Sequence, residues 1–444
     1  MKKSSRTWFL LLIPILILLA ALIYQIPFVY DRLYWRVEDL KTRIVYAINP
    51  PDEAIFKPVG GTAAATPFIA SSPDTPEPSP EGPTATDTVM VITPTALPER
   101  VILDGVVYVH QHERWNYCAP ANLSMALNFW GWPGDRDDIA RVVKPGIKDP
   151  DLSFIQQGRS DKNVMPSEMI GFVVDHTDFN IVARFGGELE VVKRLVSSGY
   201  PVLVEIGDIR EDSFGKVSWM GHFLFITGYD DISGEFVVQD SYQPEVDIPV
   251  KNTREDYEKL LEGWRSFNYL FMVIYPPSQQ DQVLDLLGDW ADPSWAYQKA
   301  LETAETEIQT LEGVDAFFAW FNKGTSLVKM EHYLEAGEAF DQTYQIYESL
   351  DSDDTQRPYR MTWYQTSPYK AYYFSGRYQD VINLANFTLG TISEPVLEET
   401  LYWRGLAYYA LGKKAFAQSD FYQAVWLNRN FEAAIYQLSQ LNFD

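Results

Sequence analysis

Apolar and polar positions divide the chain into four stretches of different character. The first, Trp8 to Tyr30, is an apolar run preceded by Lys2, Lys3 and Arg6. It is long enough to cross a hydrocarbon core of roughly 30 Å, and the leading positive charge predicts a cytoplasmic N-terminus. The second, Pro50 to Pro98, follows a short amphipathic piece (Leu33 to Ile48) and is crowded with Pro, Thr, Ser, Ala and Gly. With so little to bury, it predicts a disordered tether. In the third, Arg100 to about Pro277, one helical stripe stands out: from Ala119 to Trp130 only Asn122, Ser124 and Asn128 are polar, and Leu123, Ala126, Leu127 and Trp130 share a side. Strand-like runs lie at Val106 to His110, Ile181 to Phe185, Pro201 to Ile206, His222 to Tyr229, Glu235 to Gln239 and Tyr269 to Tyr275. One early buried helix followed by antiparallel strands is an α+β plan.

The fourth stretch, Gln282 to Asp444, has helical periodicity throughout. Trp320, Gly324, Leu327, Ala336 and Phe340 keep the offsets of a tetratricopeptide repeat, as do Leu401, Gly405, Tyr408, Gly412, Ala417, Phe421 and Ala424. A degenerate middle copy holds Tyr372, Gly376 and Val381, so equivalent turns fall at Glu331, Gly376 and Gly412, 45 and 36 residues apart. A plain helical bundle with small residues at helix crossings is the alternative.

Charge narrows the partners. With 36 basic against 61 acidic residues the net charge is −25, which repels a phosphate backbone, so nucleic acid is excluded as a partner. The chain has one cysteine, which excludes an internal disulfide and an all-thiolate metal site. That cysteine, Cys118, stands where a loop ends and the buried helix begins, with Pro120 in the first turn, where a proline loses no intrahelical bond. At a helix N-terminus the unpaired amides and the dipole favour an anion, so the thiol is expected to ionise nearer neutral pH than a free cysteine.

A thiolate nucleophile needs a base, a group to orient it and donors for an oxyanion. His222 opens the strand GHFLFITGYDD, and EFVVQDSY follows after a turn containing Ser233 and Gly234. If the connection holds an odd number of residues, His222 and Asp240 fall on one face of adjacent strands and Asp240 can fix the imidazole. Asp230 and Asp231 belong to the turn, Asp230 being roughly 26 Å from His222 at about 3.3 Å per residue. Gln111, seven residues before Cys118, can offer its side-chain amide to an oxyanion held by the Cys118 backbone amide. His110 and His112 share a strand face and invite a metal reading with Cys118, but no fourth ligand at metal spacing accompanies them.

Taken together, WNYCAPANLSMALNFWGW, GHFLFITGYDD and VVQDSY resemble the papain-like cysteine peptidases of the bacteriocin-leader-processing type (peptidase C-39-like), especially their stand-alone relatives, over about Val101 to Pro277. The resemblance implies a papain-like α+β fold with Cys118 as nucleophile, His222 as base, Asp240 as orienter and Gln111 in the oxyanion hole, and no cofactor or metal. Ala119 stands where that family usually has glycine, and Ser241 where proline is common. The chain has no Walker A motif and no multi-span region, so cleavage of double-glycine leaders does not carry over. The expected organisation is a cytoplasmic tip and transmembrane anchor (1–30), a juxtamembrane segment and linker (31–99), a papain-like domain (100–278) and tetratricopeptide-like helical repeats (282–444). The expected protein is an extracytoplasmic, membrane-anchored cysteine peptidase acting on peptide or protein substrates, with a protein partner on the repeats. The alternative is a catalytically silent peptide-binding domain with the repeats as a scaffold.

Overall fold

The structure, a computed structural model, describes residues 55–59, 96–114, 116–158, 163–211, 216–243, 250–353, 355–392 and 397–441, with isolated positions nearer the N-terminus. The expected anchor and most of the tether lie outside the described residues. Among those described, no helix is long and apolar enough to cross a membrane.

The strands are β1 (Arg100–Ile102), β2 (Asn180–Arg184), β3 (Val202–Glu211), β4 (Val217–Asp230), β5 (Glu235–Asp240), β6 (Thr253–Asp256) and β7 (Phe271–Tyr275). They form one sheet in the order β2-β7-β3-β4-β5-β6, with β1 on β4, and every pairing is antiparallel. The expected strand at Val106 to His110 does not form. Tyr108 there donates its hydroxyl to the Asp240 carbonyl at 2.7 Å and the amide of Gln111, just past the segment, donates to the Ser241 carbonyl at 2.8 Å, so the segment is fastened across the end of β5 instead of joining the sheet.

Before β7 the helices are α1 (Cys118–Phe129), α2 (Arg136–Val143), α3 (Phe154–Gln157), α4 (Pro166–His176), α5 (Leu189–Ser197) and α6 (Tyr257–Arg265). Alternation along the strands feeds two apolar layers. Leu203, Phe223, Phe225, Met272 and Ile274 pack against α1, α2 and α4 through Leu123, Leu127, Ile139 and Phe172. On the other face Val202, Val204, Leu224 and Ile226 pack against Val192, Leu195, Leu260 and Trp264. This is the α+β plan, with α1 buried as its composition requires.

Beyond β7 the chain is helical: α7 (Gln280–Leu287), α8 (Pro293–Ile308), α9 (Gly313–Lys329), α10 (Tyr333–Ser349), α11 (Met361–Tyr364), α12 (Ser367–Phe374), α13 (Tyr378–Gly390), α14 (Glu398–Ala410), α15 (Lys414–Leu427) and α16 (Glu432–Leu441). Val283, Leu287 and Trp290 still belong to the core beneath the sheet, so the two regions share a seam. The three turns expected to be equivalent have the same backbone: Glu331, Gly376 and Gly412 take φ of 63°, 78° and 72°. Each is closed by the following amide on a carbonyl five residues back, His332 to Leu327, Arg377 to Tyr372 and Lys413 to Tyr408, at 2.9, 2.8 and 2.8 Å. This is the Schellman closure. The helix contacts recur too, because a Cβ at Gly324 would lie 2.7 Å from the Phe340 ring and one at Gly405 would lie 2.6 Å from the Phe421 ring.

The helical region docks on the loop after α6. Arg265 pairs with Glu307 at 3.0 Å and Asp315 at 2.8 Å, Asn322 Nδ2 donates to the Arg265 carbonyl at 2.7 Å, and Gln365 Nε2 donates to the Ser266 carbonyl at 2.9 Å. Trp219, near the start of β4, is enclosed by Phe267, Phe318 and Tyr364 at centroid distances of 6.0, 5.6 and 5.9 Å. Gly405→Ala should destabilise the protein by up to about 2 kcal/mol, an overpacking cost of about 1–3 less the roughly 1 gained in helix propensity. Urea denaturation checks this, and unchanged stability would mean that Phe421 can move aside.

Candidate active site

The hairpin β4–β5 sets the site. Its connection, 231–234, has four residues, an even number. With unbroken register from Asp230↔Glu235, Asp240 would lie opposite Phe225, on the face away from His222. It lies opposite Leu224 instead, because the register shifts between Ile226 and Gly228. The extra residue is Thr227, a one-residue bulge, and it supplies the odd count that the connection lacks. His222 and Asp240 thereby share a face, and His222 Nε2 sits 2.7 Å from Asp240 Oδ1.

The bulge is held by buried polar contacts. Gln239 Nε2 donates to Thr227 Oγ1 at 2.8 Å and to Asn252 Oδ1 at 2.7 Å, the Asn252 amide returns a bond to Gln239 Oε1 at 3.0 Å, and the Leu103 amide donates to the Thr227 carbonyl at 2.8 Å. Asp240 is fixed from two further sides. Arg210 Nη1 reaches its Oδ2 at 3.1 Å, and also pairs with Asp208 at 3.1 Å. The Tyr242 amide donates to its Oδ1 at 2.8 Å. Burial opposes ionisation of Asp240, yet His222, Arg210 and that amide together hold its carboxyl well below the usual range. Burial, then Arg210, lowers His222, and Asp240 only partly offsets them. A carboxylate accepting from Nε2 fixes the neutral tautomer with its proton there, which leaves the Nδ1 lone pair for chemistry.

Cys118 opens α1 as expected. Asn122, one turn on, donates from Nδ2 to the Cys118 carbonyl at 2.9 Å, the Phe223 carbonyl at 3.0 Å and Ser241 Oγ at 3.1 Å. The Ser241 hydroxyl in turn donates to Gln111 Oε1 at 2.9 Å. With its oxygen engaged, Gln111 can present only Nε2, and among the described residues neither that nitrogen nor the Cys118 backbone amide donates a hydrogen bond. Both donors are thus uncommitted among the described residues.

The structure joins Gln111 to Cys118 through Ser241 and Asn122, and His222 to Asp240 directly. It makes no hydrogen bond between Cys118 Sγ and His222. The expected easy ionisation of the thiol also fails. Burial, then the neighbouring Glu205, pushes Cys118 up to about 11, and the Phe223 and Ala119 amides only partly oppose this. Glu205 is itself buried and raised well above the carboxylate range. Burial thus favours the neutral form of both the thiol and the imidazole.

Asp231 opens the turn as expected and pairs with Lys193, whereas Asp230 is the last residue of β4, opposite Glu235, and pairs with Arg100 at 3.2 Å. The His110 and His112 rings lie 5.6 Å apart and tilted by 36° and leave Nδ1 and Nε2, respectively, without hydrogen bonds. Among the described residues the one trio with metal-ligand spacing is Glu168, Glu398 and Glu399, which includes neither histidine nor Cys118. Sequence reasoning missed Arg210, Asn122 and Tyr364. Asn122 was signalled as a polar residue four after Cys118 on an apolar stripe, and Ser241 as a departure from proline. Tyr364 carried no local signal, since it comes from the helical region to lie on Gly221, where a Cβ would stand 2.9 Å from its ring and 2.6 Å from Phe267. The residue before His222 must therefore be glycine.

Residues 103–271 match a family described as the Peptidase_C39 like family, and this segment is a C39-like, papain-type domain. Among solved structures, a Bacillus anthracis protein described as a C39-like peptidase is 17% identical, the match covering 40% of this chain and 98% of that one with a TM-score of 0.31, a likeness too weak to assign residues. No curated protein matches the chain.

Iodoacetamide should label Cys118 slowly at pH 7, with a rate that climbs toward about pH 11. Fast labelling at pH 6 would contradict a neutral resting thiol.

Proposed function

We propose that residues 103–271 form a thiol hydrolase of peptide or amide bonds. The observation that carries this reading is the 2.7 Å contact of His222 Nε2 with Asp240 Oδ1, which leaves Nδ1 as a base. Sγ of Cys118 attacks the carbonyl carbon as Nδ1 takes the thiol proton; the oxyanion is received by the Cys118 backbone amide and Gln111 Nε2; His222 returns the proton to the leaving amine; water then releases the acyl group from the thioester. Because thiol and imidazole are both neutral at rest, proton transfer accompanies attack. The Sγ–Nδ1 hydrogen bond that the free site lacks forms around substrate, as hydrogen bonds of a free site often do.

The apolar run Trp8 to Tyr30 supports a membrane anchor with the domain held outside the cytoplasm. We read 282–444 as tetratricopeptide-like repeats that bind a protein partner, a reading supported by the recurring left-handed turns and Gly–Phe contacts. The acidic balance argues against nucleic acid. The second reading, a silent peptide-binding domain, is favoured by the neutral, half-buried thiol and the missing Sγ–Nδ1 bond.

Digestion of a mixed peptide library, read by mass spectrometry, separates the two. The enzyme reading expects cleavage that Cys118→Ala abolishes, that Asp240→Asn slows by about 10²–10⁴-fold in kcat, and that Ser241→Ala slows by about tenfold at unchanged KM, the worth of one hydrogen bond. Its kcat/KM should hold constant as pH falls to about 6.5, the ordinary imidazole value, and decline only below it, because His222 is lowered. Identical digests from wild type and Cys118→Ala would favour the silent domain.

A further inference from the structure

Residues 55–59 come from far upstream of the catalytic domain, yet they lie against the helical region. Phe56 is 3% exposed. Its ring meets Tyr344 of α10 edge-on at 4.7 Å and lies 6.1 Å from Tyr372 of α12 and 6.5 Å from Phe387 of α13. Lys57 pairs with Glu348 at the end of α10. The Val59 amide donates to Asp380 Oδ1 at 2.8 Å, while Ile55 and Val59 keep their side chains exposed. The segment has no regular secondary structure.

The groove is built for such a segment. Arg377 stacks on Tyr372 at 4.3 Å, forks onto Asp341 with two bonds of 2.8 Å and holds Asp380 Oδ2 at 2.8 Å, which leaves Oδ1 facing the peptide. The Arg377 amide closes the left-handed turn at Gly376, so the conformation of that turn aims the guanidinium. Tyr344 contributes a second feature: its hydroxyl is buried and makes no hydrogen bond. The chain's own segment fills the apolar pocket but leaves this donor unmet.

We propose that the groove between α10, α12 and α13 is a peptide-docking site occupied in cis by residues 55–59, and that it accepts in trans an extended segment with an aromatic side chain followed by lysine. The aromatic ring is the anchor, the lysine pairs with Glu348, and a backbone amide two residues beyond the lysine binds Asp380. Covalent attachment gives the cis segment an effective concentration on the order of millimolar, so an external peptide with equal contacts competes only near that level. This inference does not depend on the hydrolase reading.

The test uses the full chain and a fluorescein-labelled peptide of residues 54–60, AIFKPVG, followed by anisotropy. The peptide should bind Phe56→Ala protein at least about tenfold more tightly than wild type, because the groove is vacated, and the same peptide with alanine in place of phenylalanine should not bind. Absence of binding to either protein, or equal binding with and without the phenylalanine, would overturn the proposal. A second measurement needs no variant. In wild type the Val59 amide should be protected from hydrogen exchange and lose protection when peptide is added at millimolar concentration; an amide that exchanges freely from the start would also overturn it.

Discussion

One extra residue in β4 decides whether this site exists. Side chains alternate with period two, so an even connection between β4 and β5 puts His222 and Asp240 on opposite faces. The bulge at Thr227 reverses that parity. Its geometry is held by Gln239, fully buried, whose amide is satisfied by Thr227 and Asn252. An unmade bond there would leave a buried polar group costing about 1–3 kcal/mol. The imidazole tautomer, the low carboxyl of Asp240 and the availability of Nδ1 all descend from this local irregularity.

The electrostatics around Cys118 show two effects in opposition. A helix N-terminus favours a thiolate by typically 0.3–1 kcal/mol at an exposed site, up to about 2 when partly buried, whereas burial can raise a thiol by several pKa units. Here burial prevails. In the reaction we propose, the consequence is a division of labour: the Gln111–Ser241–Asn122 chain orients the Gln111 amide, and Cys118 is activated only as its proton leaves. Ser241 does two things that a proline could not, donating to Gln111 and accepting from Asn122.

Much of this was legible in the sequence, and the failures have physical causes. The α1 stripe, Pro120 and the lone cysteine placed the helix N-terminus correctly, because burial and chain geometry act locally there. The turns at Glu331, Gly376 and Gly412 were legible because each needs a left-handed residue. The pairing of His222 with Asp240 was readable only as a condition on parity, since a bulge leaves no composition signature. The strand expected at Val106 to His110 was lost to contacts of Tyr108 and Gln111 with residues more than a hundred positions away. The same holds for Tyr364 over Gly221 and for Phe56 in the helical groove: long-range packing selects them, and alternation or periodicity cannot foretell it.

The most direct test is the nitrogen spectrum of His222, followed against pH in protein labelled at its five histidines and assigned with His222→Gln. A bulge-positioned base predicts that at pH 7 Nε2 carries the proton and Nδ1 is bare, with titration below the ordinary value of about 6.5. Replacing Asp240 with asparagine should release that tautomer preference. Protonation on Nδ1, or an ordinary titration that Asp240→Asn leaves unchanged, would contradict it.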